Sequence, residues 1–327
     1  MRKAIVLALI LSVSFFAFAT GVSETDSYPT RNIRLILGSG AGGAVETVCR
    51  EWQPFVEKNL GVSFEFDFIS GAGGVIAGQT TANADPDGYT ILLNATTNAV
   101  NQTLIQGASY GIDSFDYIGQ FTTDPGVILV NKTSPWNTLE EFLAYVKTQP
   151  AGTVRVSVAD ITDVNYLALK EIEAVTGVEF NIVSYGSGSK ARLAVVSGEV
   201  EASCCNWFGA AAVWEDTKAI TVMQDKNTVP ALAGIKTTSE SLGTKMHVID
   251  TCYFICTPAG FKEKYPERFE ILRKAFTDAW NDPEFLKARA EAGKEGYITV
   301  YSPEETKAAL QEVYDYVSAN IEMFEIK

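Results

Sequence analysis

Three features of the chain predict an α/β fold with a largely parallel sheet, divided into two lobes. Apolar, β-rich runs alternate with amphipathic helical stretches along most of the 327 residues, the pattern of successive βαβ units. The tetrapeptide Gly-Ala-Gly-Gly occurs twice, at Gly40–Gly43 and Gly71–Gly74, each time between such a run and a helical stretch. Two further apolar strands, Gly126–Val130 and Thr251–Thr257, read as crossings from one lobe to the other and back. Residues 28–126 and 254–327 then form one lobe and 127–253 the other, with a ligand cleft between them.

The elements follow in order. Arg2-Lys3, the apolar stretch Ala4–Phe18 and the A-x-A site Ala17-Phe18-Ala19 make residues 1–19 a secretory signal peptide, too short and wrongly flanked for a membrane span. Residues 20–27 are small and polar, a flexible tether. Ile33–Leu37 is the first strand, and Ala44–Asn59 the first helix, with Val45, Val48, Cys49, Trp52 and Val56 on its apolar stripe. Pro54 is expected to kink or shorten that helix. Val62–Ile69 is a strand, Val75–Ala84 a helix, Asp85–Gly88 a turn and Tyr89–Leu93 a strand.

In the second lobe, Thr138-Leu-Glu-Glu141 is a capping box for a helix to about Lys147. Val154–Ala159 is a strand, Asp160–Asp163 a polar loop and Val164–Thr176 a helix. Glu179–Tyr185, the loop Gly186–Ser189, the helix Lys190–Ser197 and the strand Val200–Asn206 follow. The C-terminal third is mostly helical: Glu263–Trp280, Pro283–Gly293 and Pro303–Asn320, the last opened by Ser302, Pro303 and Glu305. Apart from the doubled glycine loop the sequence shows no internal repeat.

A glycine loop between strand and helix offers unpaired N–H groups at the positive end of a helix dipole, which suits a small anion. Two such loops within about thirty residues point to one anion held from two sides. Gly38, Gly40 and Gly43 also fit G-x-G-x-x-G, with Glu65 and Asp67 near the end of the next strand, the dinucleotide pattern. Export argues against that reading, because nicotinamide cofactors are not supplied outside the cell; no cofactor is expected. Tight turns packed on neighbouring backbone are the plain alternative.

The formal charge is −14, and removal of residues 1–19 takes away Arg2 and Lys3 and no acidic residue, giving −16. That disfavours nucleic acid and anionic membrane surfaces as partners, but not an anion bound by contacting N–H groups. The five cysteines include no C-x-x-C pair, and His247 is the only histidine, so neither a zinc site nor a Cys-His nucleophile is expected. The thiols read as small buried hydrophobes, while a disulfide among Cys204, Cys205, Cys252 and Cys256 stays open in an exported chain.

These motifs resemble the periplasmic solute receptors of tripartite tricarboxylate transporters, often called Bug receptors, over nearly the whole mature chain. Gly42-Gly43-Ala44-Val45-Glu46 is similar to the family's Gly-Gly-x-x-Asp, Gly71-Ala72-Gly73-Gly74 to its second glycine loop, and Pro86-Asp87-Gly88-Tyr89-Thr90 to its Pro-Asp-Gly-Tyr-Thr. The resemblance implies a type II periplasmic-binding fold, two lobes joined by two crossing strands, with a ligand carboxylate held by amides of both glycine loops. It assigns Ser39, Ala41, Gly42, Gly43 and Glu46 to the first loop, Gly71–Gly74 to the second, and a hydroxyl to Thr97. From the second lobe it assigns Thr162, Asn165 (where the family has histidine) and Cys205-Asn206 (where it has Asp-Asn).

The resemblance implies a monomeric, non-enzymatic receptor that hands a small carboxylate to the membrane subunits of such a transporter. The ligand class is a dicarboxylate, a tricarboxylate or an amino acid. An inward Glu46 would favour a ligand ammonium; an inward Lys190 or Arg192 would favour a second carboxylate; a solvated helix face is the plain alternative for all three. Two other functions keep the same fold or compartment. One is an exported ligand-sensing subunit for a signalling partner. The other is an exported enzyme acting on a small carboxylate, which the lone histidine and the lack of a G-x-S-x-G elbow disfavour.

Overall fold

The computed structural model describes residues 28–41, 44–161, 163–248, 250–294 and 299–324. The signal-peptide and tether expectations, and Gly42, Gly43 and Thr162, lie outside them. The strands are β1 (Ile33–Leu37), β2 (Phe64–Phe68), β3 (Thr90–Ala95), β4 (Phe115–Asn131), β5 (Arg155–Val158), β6 (Asn181–Ser184), β7 (Ala202–Asn206), β8 (Thr217–Met223) and β9 (Asp250–Pro258). The helices are α1 (Ala44–Leu60), α2 (Val75–Ala82), α3 (Thr96–Leu104), α4 (Leu139–Thr148), α5 (Val164–Thr176), α6 (Gly188–Val196) and α7 (Trp207–Ala210). They continue with α8 (Thr238–Leu242), α9 (Phe261–Lys264), α10 (Pro266–Trp280), α11 (Pro283–Glu291), α12 (Pro303–Ala319) and α13 (Ile321–Phe324).

The strands run in the order β2-β1-β3-β9-β4-β7-β5-β6, with β8 also on β4. β1 is parallel to β2 and β3, and β9 is antiparallel to β3. β5 is parallel to β6 and β7, and β4 is antiparallel to β7. The long strand β4 joins the two groups. Its first part, through Pro125, pairs with β9; from Gly126 onward it pairs with β7 and β8. The orders β2-β1-β3-β9-β4 and β6-β5-β7-β4-β8 therefore repeat one topology, with one antiparallel strand inserted in each. This is the two-lobed α/β architecture. The repeat lies in strand order rather than residue identity, which is why the sequence hides it.

The inner strands β1, β3 and β7 are buried along nearly their whole length, while the edge strands β2 and β6 are partly exposed and carry polar residues. Trp52 of α1, Phe121 of β4 and Phe276 and Trp280 of α10 meet on one face of the first group, with Phe121 and Trp280 stacked at 5.1 Å. Pro54 does not shorten α1, which runs on to Leu60. Burial of Val48, Cys49, Trp52, Val56 and Leu60 outweighs the one missing N–H. The stretch expected as one helix from Glu263 is two, because Pro266 starts a new helix at its first position. The box at Ser302 is complete: Glu305 N donates to Ser302 Oγ at 3.2 Å, and Ser302 N to Glu305 Oε2 at 2.8 Å.

Glu171 of α5 binds the segment that leads into β9. Its fully buried carboxylate accepts from His247 N and Val248 N, each at 2.9 Å, and lies 3.0 Å from His247 Nδ1. The His247 ring stacks on Tyr316 of α12 at 4.0 Å. Beyond α12, α13 packs back on α5.

Candidate functional site

Parallel pairing of β1 with β2 and β3 places the loop after each strand on one edge of the first group. The end of β1, just ahead of the first glycine loop, meets the second loop there: a Cβ added to Gly38 would sit 3.2 Å from the Gly74 Cα. The second loop turns through positive φ at Gly71, Ala72, Gly73 and Gly74 (133, 46, 60 and 95°), a path that favours glycine. Gly74 N donates to the Gly71 carbonyl at 3.0 Å and Val75 N to that of Ala72. The N–H groups of Ala72 and Gly73 stay outside the turn's own bonds. Gly71, Ala72 and Gly73 are exposed, while Ser39 Oγ is buried and unpaired among the described residues.

Gln102 of α3, which the sequence reading missed, supports this loop. Its Nε2 donates to the Gly73 carbonyl at 2.9 Å, and its Oε1 accepts from Tyr110 Oη at 2.8 Å and Asn94 Nδ2 at 3.1 Å. Glu46 lies in the first turn of α1 and bonds Arg50 one turn on, at 2.9 and 3.1 Å. Asp67, the candidate ribose acid of the dinucleotide reading, accepts from Arg34 Nε at 2.9 Å.

From the second group, the loops after β5, β6 and β7 share one edge by the same parallel logic. Asn206 is the hub. Its Nδ2 donates to the Asp124 carbonyl at 2.7 Å and to Thr251 Oγ1 at 3.1 Å, and its Oδ1 accepts from Asn165 Nδ2 at 2.9 Å. Asp124 Oδ1 accepts from Phe208 N at 3.0 Å. Asn165 and Cys205 are buried on this edge, at 3% and 4% exposure. Asp124 and Thr251 were invisible as site residues because their part comes from β4 and β9 changing groups.

Thr97 opens on a different space. A cavity of about 310 Å3 beside the crossing strands is lined by Thr97, Gln224, Lys245, His247, Cys252 and Tyr301, among others, and by no described residue of either glycine loop.

All five cysteines are free thiols. Burial pushes the Cys205 thiol up to about 12, and burial likewise raises Cys204. That is the opposite of an activated nucleophile. Asp163, which caps α5 by accepting from Tyr166 N at 2.9 Å, is raised to about 6 by burial, against the pull of its hydrogen bonds. No cluster of metal-ligating residues is present among the described residues, and none of their helices is long and apolar enough to cross a membrane.

Two strand groups of repeated order, joined by β4 and β9 with Asn206 bonded to both crossing strands, define a two-lobed binding protein. The comparisons with known proteins place it further. Residues 48–315 match the family described as "Tripartite tricarboxylate transporter family receptor", and the chain belongs to that family of periplasmic solute-binding receptors. A UPF0065 protein of Bordetella pertussis is 27% identical over 289 residues, 88% of this chain and 86% of that one. A TctC solute binding protein from Polaromonas has 25% identity and a TM-score of 0.78, covering 90% of this chain and 99% of its own. MatC from Rhodopseudomonas palustris, solved with bound malate, has 22% identity and a TM-score of 0.71, covering 91% of this chain and 100% of its own; it shares the fold.

Proposed function

We propose that this protein captures a small carboxylate, a di- or tricarboxylate or an amino acid, in the periplasm and delivers it to the membrane subunits of a tripartite tricarboxylate transporter. The observation that carries the reading is the close approach of Gly38, at the start of the first loop's segment, to Gly74 of the second, with the Ala72 and Gly73 N–H groups left over by the turn. Backbone donors in contact with an anion work despite the acidic surface. A malate-bound neighbour of the same fold agrees with this chemistry. The raised thiols of Cys204 and Cys205 speak against either acting as a nucleophile.

In this reading residues 28–125 and 250–319 form one lobe and 126–248 the other, with α13 returning to the second. This shifts the boundaries given by the sequence by one residue at the first crossing and four at the second, following the pairing of β4 and β9. The first loop's share, including Gly42 and Gly43, and the hydroxyl of Thr162 belong to the same proposal. A mass spectrum of ligand released from natively purified protein tests it. A small carboxylic acid is the expected species; a nucleotide, a sugar or a lipid overturns it.

A further inference from the structure

Arg192 stands in the second turn of α6, half-buried. Its guanidinium lies against two glycines that follow the carboxyl ends of β6 and β7. A Cβ added to Gly209 would sit 2.3 Å from Nη1, and one added to Gly188 3.0 Å from it. Both places are open to the arginine because neither residue has a side chain. Other partly exposed arginines are paired, as Arg155 with Glu201 and Arg50 with Glu46. Arg192 makes no ion pair and no side-chain hydrogen bond with any described residue.

The surroundings place this cation where the lobes meet. Phe208, next to Gly209, donates its N–H to Asp124, and its ring receives Arg289 at 5.7 Å and Lys294 at 5.1 Å from the other lobe. Those two cations share Glu51 as a carboxylate. Arg192 has no such partner. A half-buried guanidinium with no anion beside it is free to take one, and a bidentate carboxylate is the group its geometry fits.

We propose that Arg192 is a specificity-determining residue that receives a second, distal acid group of the ligand, so that the receptor selects dianions over monoanions. The inference rests on the carboxylate-receptor reading: the glycine loops take one carboxylate and Arg192 the other, across the cleft. Nothing in the backbone of the loops can make this distinction, because amide donors serve either end of a ligand equally.

Calorimetry with malate, succinate and monomethyl succinate tests it on the wild type and on Arg192→Met, Arg192→Lys and Gly209→Ala. Succinate and its monoester differ by one charge. The wild type is expected to bind the diacid at least ~10-fold more tightly than the ester, and Arg192→Met to weaken the diacid roughly 10–100-fold while leaving the ester nearly unchanged. Gly209→Ala keeps the arginine but displaces its Nη1, and should lose diacid affinity in the same direction. Arg192→Lys keeps the charge without the fork and should fall between. These two carry the test if Arg192→Met fails to fold. Equal losses for diacid and ester, or an unchanged diacid, overturn the role of Arg192 alone. A wild type that binds none of the three probes overturns the carboxylate reading, and this inference with it.

Discussion

Asn206 donates to the backbone carbonyl of Asp124 at 2.7 Å, joining the end of β7 to β4 next to the point where it changes partners. The same amide nitrogen reaches Thr251 on β9 at 3.1 Å, so one side chain touches both crossing strands. Any hinge between the lobes must turn around these bonds. Asn206→Leu keeps the volume but removes its bonds to the Asp124 carbonyl, Thr251 and the Asn165 amide. We expect a loss of ~2–4 kcal/mol in urea unfolding, the sum for two largely buried polar groups, together with weaker ligand binding. An unchanged midpoint would remove Asn206 from the hinge.

Gly73 is a position of the second loop at which an added side chain meets a neighbour. Its φ is 60° and an added Cβ would lie 2.5 Å from the amide of Gln106. The Cβ points toward the segment that follows α3, so binding should fail through distortion of the loop rather than through direct contact with the ligand. Gly73→Val should cost ~1–3 kcal/mol of local strain and weaken carboxylate binding by at least about tenfold in calorimetry. Gly107→Val, also at positive φ but with open space around it, is the matched control and should change stability without comparable loss of affinity.

Asp163 gives stability a pH dependence of known sign. Its carboxyl is raised by burial from 3.8 to about 6 in the folded protein, so the native state holds the proton more tightly than the unfolded chain. Its contribution is complete below about pH 4 and is lost as pH rises through about 6. Asp163→Asn keeps a capping acceptor for Tyr166 N and removes the titration. Urea midpoints at about pH 4 and about pH 7.5, on either side of that range, should show the variant gaining on the wild type at the higher pH. A constant difference between the two would contradict the assignment.

Much of the fold was written in local chemistry. The helix Val164–Thr176 falls where the sequence put it, because Asp163 caps it and its apolar stripe is regular. The strand β8, the short α8 and the helix α3 escaped notice. α3 carries Thr96, Thr97, Asn98, Asn101, Gln102 and Thr103 in a nine-residue run, a composition that propensity assigns to a loop. It is helical because Val100 packs into the core and Gln102 is held by three partners. The glycine loops and Asn206 were legible as motifs. Asp124, Thr251 and Gln102 were not, since their roles depend on partners 29 to 82 residues away in sequence.

Glu171 should prove the most sensitive carboxylate for stability. Two backbone N–H groups ahead of β9 depend on it, and it is fully buried. Glu171→Ala leaves both donors unmet and empties the space beneath the His247 and Tyr316 stack. A loss of ~2–6 kcal/mol is expected for two unsatisfied donors, whereas Glu171→Gln keeps an acceptor and should lose less. Chemical denaturation of the two variants side by side checks the order. If alanine and glutamine are equally mild, the carboxylate does not hold the crossing segment.

Glu46 is paired within its own helix. The sequence left two possibilities open, an ammonium acceptor facing the cleft or a partner of the helix dipole. Its Oε1 is bonded by Arg50 in an i,i+4 pair, and it stands in the first turn of α1, where a carboxylate is favoured by ~0.3–1 kcal/mol. The pair itself is worth ~0.2–0.5 kcal/mol on a helix surface. Glu46→Gln should therefore lower the melting temperature by only a few degrees and affect amino acids and dicarboxylates alike. A thermal-shift panel of amino acids, dicarboxylates and tricarboxylates on both proteins measures this. Selective loss of the amino acids would return Glu46 to the cleft as an ammonium acceptor and reverse its assignment.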